Sequence, residues 1–365
     1  MLNILLIGVG QCGNRILDAI NKEAFGGGVI SKYYGKQKFA SHVETVAINT
    51  AINDLRELRF TKAKDRIHVP YLHGVGANRR TGKQCFEDNK ELLLRAIEER
   101  GDFDVAFIIA SASGGTGSSF LPLMIEAIKG RFKYNVYGVL VLPFREEGAI
   151  YLQNSIFCLK EVMDGSSDGN IIVDNQFLKH LGKDIKSAYD GINKTIAERF
   201  LLLLKALDSE MMMVTDLGDF KSVMSGGSRL ATMGFGTGDK DVSIKSVIKH
   251  SLSHAGLLFE LDPYKEANRA MIIIEGDQKY LNINDITSEV EKLSCELGQI
   301  FKGILIHKGE TPRVLSILSI GASAELDKLF KAGIGAVEKQ REKKELLAEQ
   351  NKIIAERLEG LEPVY

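Results

Sequence analysis

Two glycine-rich runs in this chain of 365 residues carry the residue types that hold phosphate. The first, Gly8-Val9-Gly10-Gln11-Cys12-Gly13-Asn14, satisfies G-x-G-x-x-G and follows an apolar run, Leu2 to Ile7, that reads as a strand. Glycines there let the backbone approach phosphate oxygens, and the free N–H groups of a helix start supply donors and a favourable dipole. Taken alone, the run is shared with dinucleotide-binding folds, which want an acidic residue at the end of the second strand to hold ribose hydroxyls. Here the second candidate strand, Val43 to Asn49, ends Ala47-Ile48-Asn49-Thr50-Ala51, with no acid. The second run, Ala110-Ser111-Ala112-Ser113-Gly114-Gly115-Thr116-Gly117-Ser118-Ser119, lies between the apolar stretch Val105 to Ala110 and an amphipathic segment. One such cluster is readily a tight turn, but two at strand-to-helix junctions of one sheet point to a phosphate cradle. No G-x-x-x-x-G-K-[ST] occurs, which excludes the P-loop class as a motif.

The elements that must position these runs alternate along the chain. Short apolar runs, with Val136 to Val141 as the fourth, and longer amphipathic stretches continue to about residue 180, which predicts a mostly parallel sheet with crossover helices. In such sheets ligands bind at the carboxyl ends of the strands, where both glycine runs fall. A long helix is expected from about Ser187 to Leu207, with Ile192, Ile196, Phe200, Leu203 and Leu207 on one face. Apolar runs at Met271 to Ile274, Ile304 to Ile306 and Val314 to Ile320 predict a smaller α/β block, and Ala322 to Leu361 has a helical pattern. The expected fold class is α/β, divided into a nucleotide-binding domain (1–186), a central helix (187–208), a second α/β domain (209–321) and a C-terminal helical extension (322–365). In that extension Leu347, Ile354, Leu358 and Leu361 form a short stripe expected to dock on the body or on a partner, with the body favoured.

Composition sets outer limits. Hydrophobic residues make up 44% and charged residues 26%, ordinary for a folded protein of about two domains. Acidic and basic residues, 48 against 47, argue against a nucleic-acid surface. Cys12, Cys85, Cys158 and Cys295 are far apart, so neither a zinc site nor a disulfide framework is expected, and a reducing cytoplasm fits. The apolar start is too short for a signal peptide, and no run approaches membrane-spanning length, so no direct membrane insertion is expected. His250 and His254 stand four apart without a third ligand, which disfavours a metal site there.

At the glycine runs the sequence resembles the tubulin/FtsZ superfamily. Its G-G-G-T-G-[ST]-G signature reads here Ser113-Gly114-Gly115-Thr116-Gly117-Ser118-Ser119, with serine for the first and last glycines. Gly10-Gln11-Cys12-Gly13-Asn14 is closer to tubulin, whereas Asn49-Thr50 matches FtsZ. The resemblance implies a GTP/GDP site whose phosphate loops are Gly10 to Arg15 (Gly10, Gln11, Cys12, Gly13, Asn14, Arg15), Asn49-Thr50, Ala77-Asn78 and Ser113 to Ser118, with Mg2+ among them. It makes Pro143-Phe144-Arg145-Glu146-Glu147-Gly148 the ribose loop, with Glu147 as the contact, and places Tyr151 where FtsZ commonly has arginine. It assigns guanine recognition to Asn175 and Asn193, whose amides both donate and accept, and a stacking role to Tyr189.

The catalytic loop N-x-D-x-x-D of FtsZ stands here as Val214-Thr215-Asp216-Leu217-Gly218-Asp219, with both acids kept and valine for asparagine. The resemblance implies that Asp216 and Asp219 reach the nucleotide of the next subunit, so that the GTPase works only in a head-to-tail filament of the chain with itself. Acids placed beside the triphosphate of their own subunit would repel it once water is excluded. The segment Ala231-Thr232-Met233-Gly234-Phe235-Gly236-Thr237-Gly238 resembles the strand-like stretch that follows this loop in FtsZ. Mixed tubulin-like and FtsZ-like features resemble most the archaeal CetZ branch, which implies a cytoplasmic role in cell shape. A cytokinetic FtsZ, a GTP-binding polymer with little hydrolysis, and a dinucleotide-dependent oxidoreductase stay open as alternatives.

Overall fold

The structure, a computed structural model, describes residues 2–25, 42–71, 74–208, 217–239 and 241–359. Its first half alternates strand and helix: β1 (Asn3–Val9), α1 (Gly10–Phe25), β2 (His42–Asn49), α2 (Ile52–Arg56), β3 (Arg66–His68), α3 (Arg79–Glu98), β4 (Val105–Ser111), α4 (Gly115–Arg131), β5 (Asn135–Leu142), α5 (Ala149–Asp164) and β6 (Gly169–Asp174). The long helix α6 (Ile185–Asp208) follows, then α7 (Leu217–Met224), β7 (Leu230–Thr237), α8 (Ile244–Ser251), α9 (Pro263–Glu266), β8 (Ala267–Gly276), α10 (Ile283–Leu297), β9 (Gln299–Ile306), β10 (Arg313–Ile320) and α11 (Ala324–Leu358).

Among the described residues, all ten strands join one sheet in the order β3-β2-β1-β4-β5-β6-β7-β10-β8-β9. The pairs from β3 to β7 are parallel, β10 runs antiparallel to both β7 and β8, and β8 pairs β9 in parallel. Ile4, Leu5, Leu6 and Ile7 are all fully buried, because β1 is covered on both faces. Leu5, Ile7 and Val9 pack with Phe86 and Phe120 on one face, and Ile4 and Leu6 with Ile16, Ile20, Ile196 and Phe200 on the other. The strand order reverses between β1 and β4, which pair with Val9 opposite Ala110. This is the topological switch point where α/β sheets open a crevice, and both glycine runs lie at it.

The strands expected from apolar runs are all present, as is the long helix, which begins at Ile185. The C-terminal stripe departs from expectation. Leu326, Leu329, Gly333 and Ala336 of α11 are buried, but Leu347, Ile354 and Leu358 are about half exposed at 47%, 53% and 56%. Leu361 lies outside the described residues. The reason is length: at 1.5 Å per residue, the 35 residues of α11 run about 52 Å, whereas the 16 residues of α5, on which it packs, run about 24 Å.

Candidate functional site

A cleft of about 440 Å3 opens at the switch point. One wall comes from the β1–α1 junction, where Gly10 has φ +70° and lies so close to the second run that a Cβ on it would stand 3.2 Å from the Gly117 backbone nitrogen. The second run supplies Ser113 to Gly117 at the start of α4, and a Cβ on Gly115 would fall 1.8 Å from the carbonyl oxygen of Gly76. Only glycine fits where these loops meet, and each run opens a helix whose first N–H groups are free to hold phosphate. Thr50 and Thr116 share a hydrogen bond between hydroxyls 2.8 Å apart, tying the end of β2 to the second run.

Carboxylates stand toward both ends of the cleft. Near the glycines Asp54 accepts from Gln11 Nε2 at 3.2 Å and Asn49 Nδ2 at 3.0 Å. Farther along, Glu147 Oε1 accepts from the Phe144 backbone N–H at 3.0 Å and the Tyr189 hydroxyl at 3.2 Å. Burial, reinforced by the Glu147 charge, pushes the Tyr189 phenol up, so it stays protonated and donates. Asn193 lies one helical turn beyond Tyr189 on α6 and lines the same wall. Asn175 is 5% exposed and lines the cleft, and its Oδ1 is buried with no hydrogen-bond partner within the chain. A buried orphan acceptor in a cleft is what a ligand N–H would satisfy. Burial first, then the Glu147 charge, raises the Cys12 thiol to about 12, so it faces the cleft uncharged.

The Glu147 and Asn175 loops are fastened together. Arg145 pairs with Asp174 at 2.8 Å, and its backbone N–H donates to Gln176 Oε1 at 3.0 Å. The same guanidinium reaches Glu325 in the first turn of α11 at 3.2 Å. Asn154 of α5 donates to the carbonyls of Ala77 (2.9 Å) and Ser113 (2.8 Å), joining two more cleft segments.

Of the residues expected at the site, Gly10, Gln11, Cys12, Arg15, Asn49, Thr50, Ser113, Gly114, Gly115, Thr116, Gly117, Glu147, Asn175, Tyr189 and Asn193 share this one cleft. Five others lie beside it and shape it. Gly13 abuts Ile109, Asn14 is buried with its amide on the Ile48 carbonyl at 3.3 Å, and Ala77 meets Asn154. Asn78 caps α3 by accepting from Thr81 N–H, and the Ser118 hydroxyl donates to the Gly114 carbonyl within α4. The pattern gave no notice of Asp54 or Asn154, which sit on helices outside any motif. Asp219 stands in the first turn of α7; Asp216 lies outside the described residues. His254 packs against Phe177, its ring 4.5 Å away. Among the described residues no group of three His, Cys, Asp or Glu side chains could hold a metal unaided. Asp54 is the carboxylate on the glycine side that would help hold Mg2+ beside a phosphate.

Asp219 and the cleft occupy opposite ends of the sheet. Asn175 follows the carboxyl end of β6, whereas α7 packs at its amino end, where a Cβ on Gly169 would touch the carbonyl of Met224. The helix α6 runs about 22 Å from Asn193 in the cleft to its last residue, Asp208.

Comparison with known proteins places this geometry in context. The model of the Tubulin/FtsZ family, GTPase domain, matches residues 3–183. The Tubulin-like protein CetZ of Methanothrix thermoacetophila is 55% identical over 368 residues, covering 100% of both chains. The solved structure of CetZ from Methanosaeta thermophila strain DSM 6194 superposes with a TM-score of 0.88 at 53% identity, covering 98% of each chain. That of CetZ2 from Haloferax volcanii, a GTPγS-bound protofilament, superposes at 0.79 and 24% identity, covering 93% of this chain and 100% of that one, a likeness of fold.

Proposed function

This chain belongs to the tubulin/FtsZ family, in its CetZ branch, and we propose that it binds GTP in the switch-point cleft and hydrolyses it when a second copy docks end to end. The glycine runs take the phosphates, Glu147 the ribose, and Asn175 and Asn193 the guanine edge, with Tyr189 against the base. Asp54 would help hold Mg2+, which would supply charge neutralisation at the phosphates. Asp216 and Asp219 of the neighbour orient and polarise the attacking water. The observation that carries this reading is the separation of Asp219 from the cleft along the whole sheet. A carboxylate at the far end cannot serve its own nucleotide, but it meets the next one when copies stack head to tail. Such contacts are heterologous, and where the rotation between copies does not close a ring they build filaments. We read the filament as a cytoplasmic element of cell shape.

Mixing tests the split site. Asp216→Ala/Asp219→Ala chains keep the cleft but lack the acids, and Asn175→Leu/Asn193→Leu chains keep the acids but lose the base contacts. Each alone should release little phosphate from GTP, and the mixture should recover activity. A mixture no more active than the sum of its parts would place the acids outside the reaction. A second reading, a GTP-bound polymer that hydrolyses little, is favoured by Val214 where the FtsZ motif has asparagine. It predicts GTP retained over many hours in assembled wild-type protein.

A further inference from the structure

We propose that the distal half of α11 is a strap that docks on α5 of the next copy in the same head-to-tail row, an inference that rests on the end-to-end assembly proposed above. The helix starts at the cleft end, where Glu325 meets Arg145, and runs alongside α5 in the same direction, with Gly333 packed against Ile156. Since α5 ends at Asp164, α11 passes beyond the body at the end opposite the cleft, the end that carries α7 and Asp219. What projects there is not a uniformly polar helix. At 100° per residue, Leu347, Ile354 and Leu358 fall within the same arc of about 80° as Leu326, Leu329, Gly333 and Ala336, which pack on α5. The packing face thus continues in register past the end of its own partner.

The matching surface lies on the same chain at its other end. Ile150 and Phe157, seven residues apart on the open side of α5, are 41% and 40% exposed, and Ile150 is in the first turn after the Glu147 loop. A stripe at one end and a complementary apolar pair starting at the other are the two halves of a heterologous contact, which repeats from copy to copy without closing. The occupant of the stripe is therefore a second copy of this chain. The Arg145–Glu325 pair lies where the strap of the preceding copy would arrive, so strap docking and the cleft meet at one junction.

Two experiments test this. In Leu347→Ala/Ile354→Ala/Leu358→Ala chains the melting temperature and monomer GTP affinity should match wild type, because these half-exposed side chains join no hydrophobic cluster among the described residues. The protein concentration at which GTP drives sedimentation should rise about tenfold or more. In a Cys295→Ser background carrying Phe157→Cys and Ile354→Cys, mild oxidation of assembled protein should give a ladder of covalent oligomers, absent below the assembly concentration. Assembly of the triple variant at the wild-type concentration overturns the proposal. So does cross-linking of Ile354→Cys chains to one another without Phe157→Cys, which would mean that straps pair laterally. If wild type fails to sediment with GTP at any concentration, the end-to-end reading falls and takes the strap with it.

Discussion

Arg145 and Asp174 form a 2.8 Å ion pair that joins the loop carrying Glu147 to the strand end carrying Asn175. Asp174 is almost fully buried, and burial raises its carboxyl even though Arg145 pulls it down. In Arg145→Met that carboxyl loses the charge that pulls it down, so it rises further and the two loops lose their fastening. Guanine-nucleotide affinity should fall about tenfold, the size expected for a charged hydrogen bond. The preference for GDP over IDP, which lacks the exocyclic amine, should shrink with it. Titration calorimetry with both nucleotides checks this, and an equal loss for the two would argue for a merely structural role.

Gly13 allows α1 to approach β4 so closely that a Cβ would lie 2.0 Å from the Ile109 carbonyl oxygen. Backbone cannot move aside as a side chain can, so Gly13→Ala should destabilise by at least about 2 kcal/mol. Denaturant unfolding measures it. A midpoint within error of wild type would contradict the packing described.

Much of this was legible in the residues, for identifiable reasons. Strands β1 and β4 are buried on both faces, so continuous apolar runs marked them, and the glycine runs at their ends marked the cleft. Strand β3 gave no such signal, because Arg66–His68 is three residues long, half-buried and paired only at the sheet edge. Gly13 and Asn14 sit inside a phosphate motif yet serve helix packing, a distinction that spacing does not encode. Asp54 and Asn154 are brought to the cleft by tertiary structure alone. The overhang of α11 was hidden because its apolar period continues unchanged where the body ends.

Glu275 is fully buried among Lys205 (2.7 Å), His307 (2.8 Å) and Arg313 (2.8 Å). Burial alone would raise its carboxyl, but His307, Arg313 and Lys205 hold it down to about 2. A carboxylate depressed in the folded state stabilises above its unfolded value, and that contribution fades as pH falls from about 4.5 toward about 2. The contribution at neutral pH is on the order of 3 kcal/mol. Glu275→Gln should lose stability of that order at pH 7 and show a shallower acid limb. Parallel stability curves for the two proteins would refute the assignment.

Cys12, protonated at neutral pH, should resist alkylation, whereas the exposed Cys295 should react first. Timed iodoacetamide labelling at pH 7.5 with peptide mass spectrometry separates them. Comparable rates would mean that Cys12 is ionised and the cleft more open than described.

The split reaction centre is tested most directly by phosphate release per chain across a series of protein concentrations, with GTP and with ATP, read alongside light scattering. Specific activity with GTP should be near zero at low concentration and climb in step with scattering to a plateau, while ATP supports neither. A specific activity with GTP that is constant across the series would contradict it, because each chain would then be completing the reaction alone.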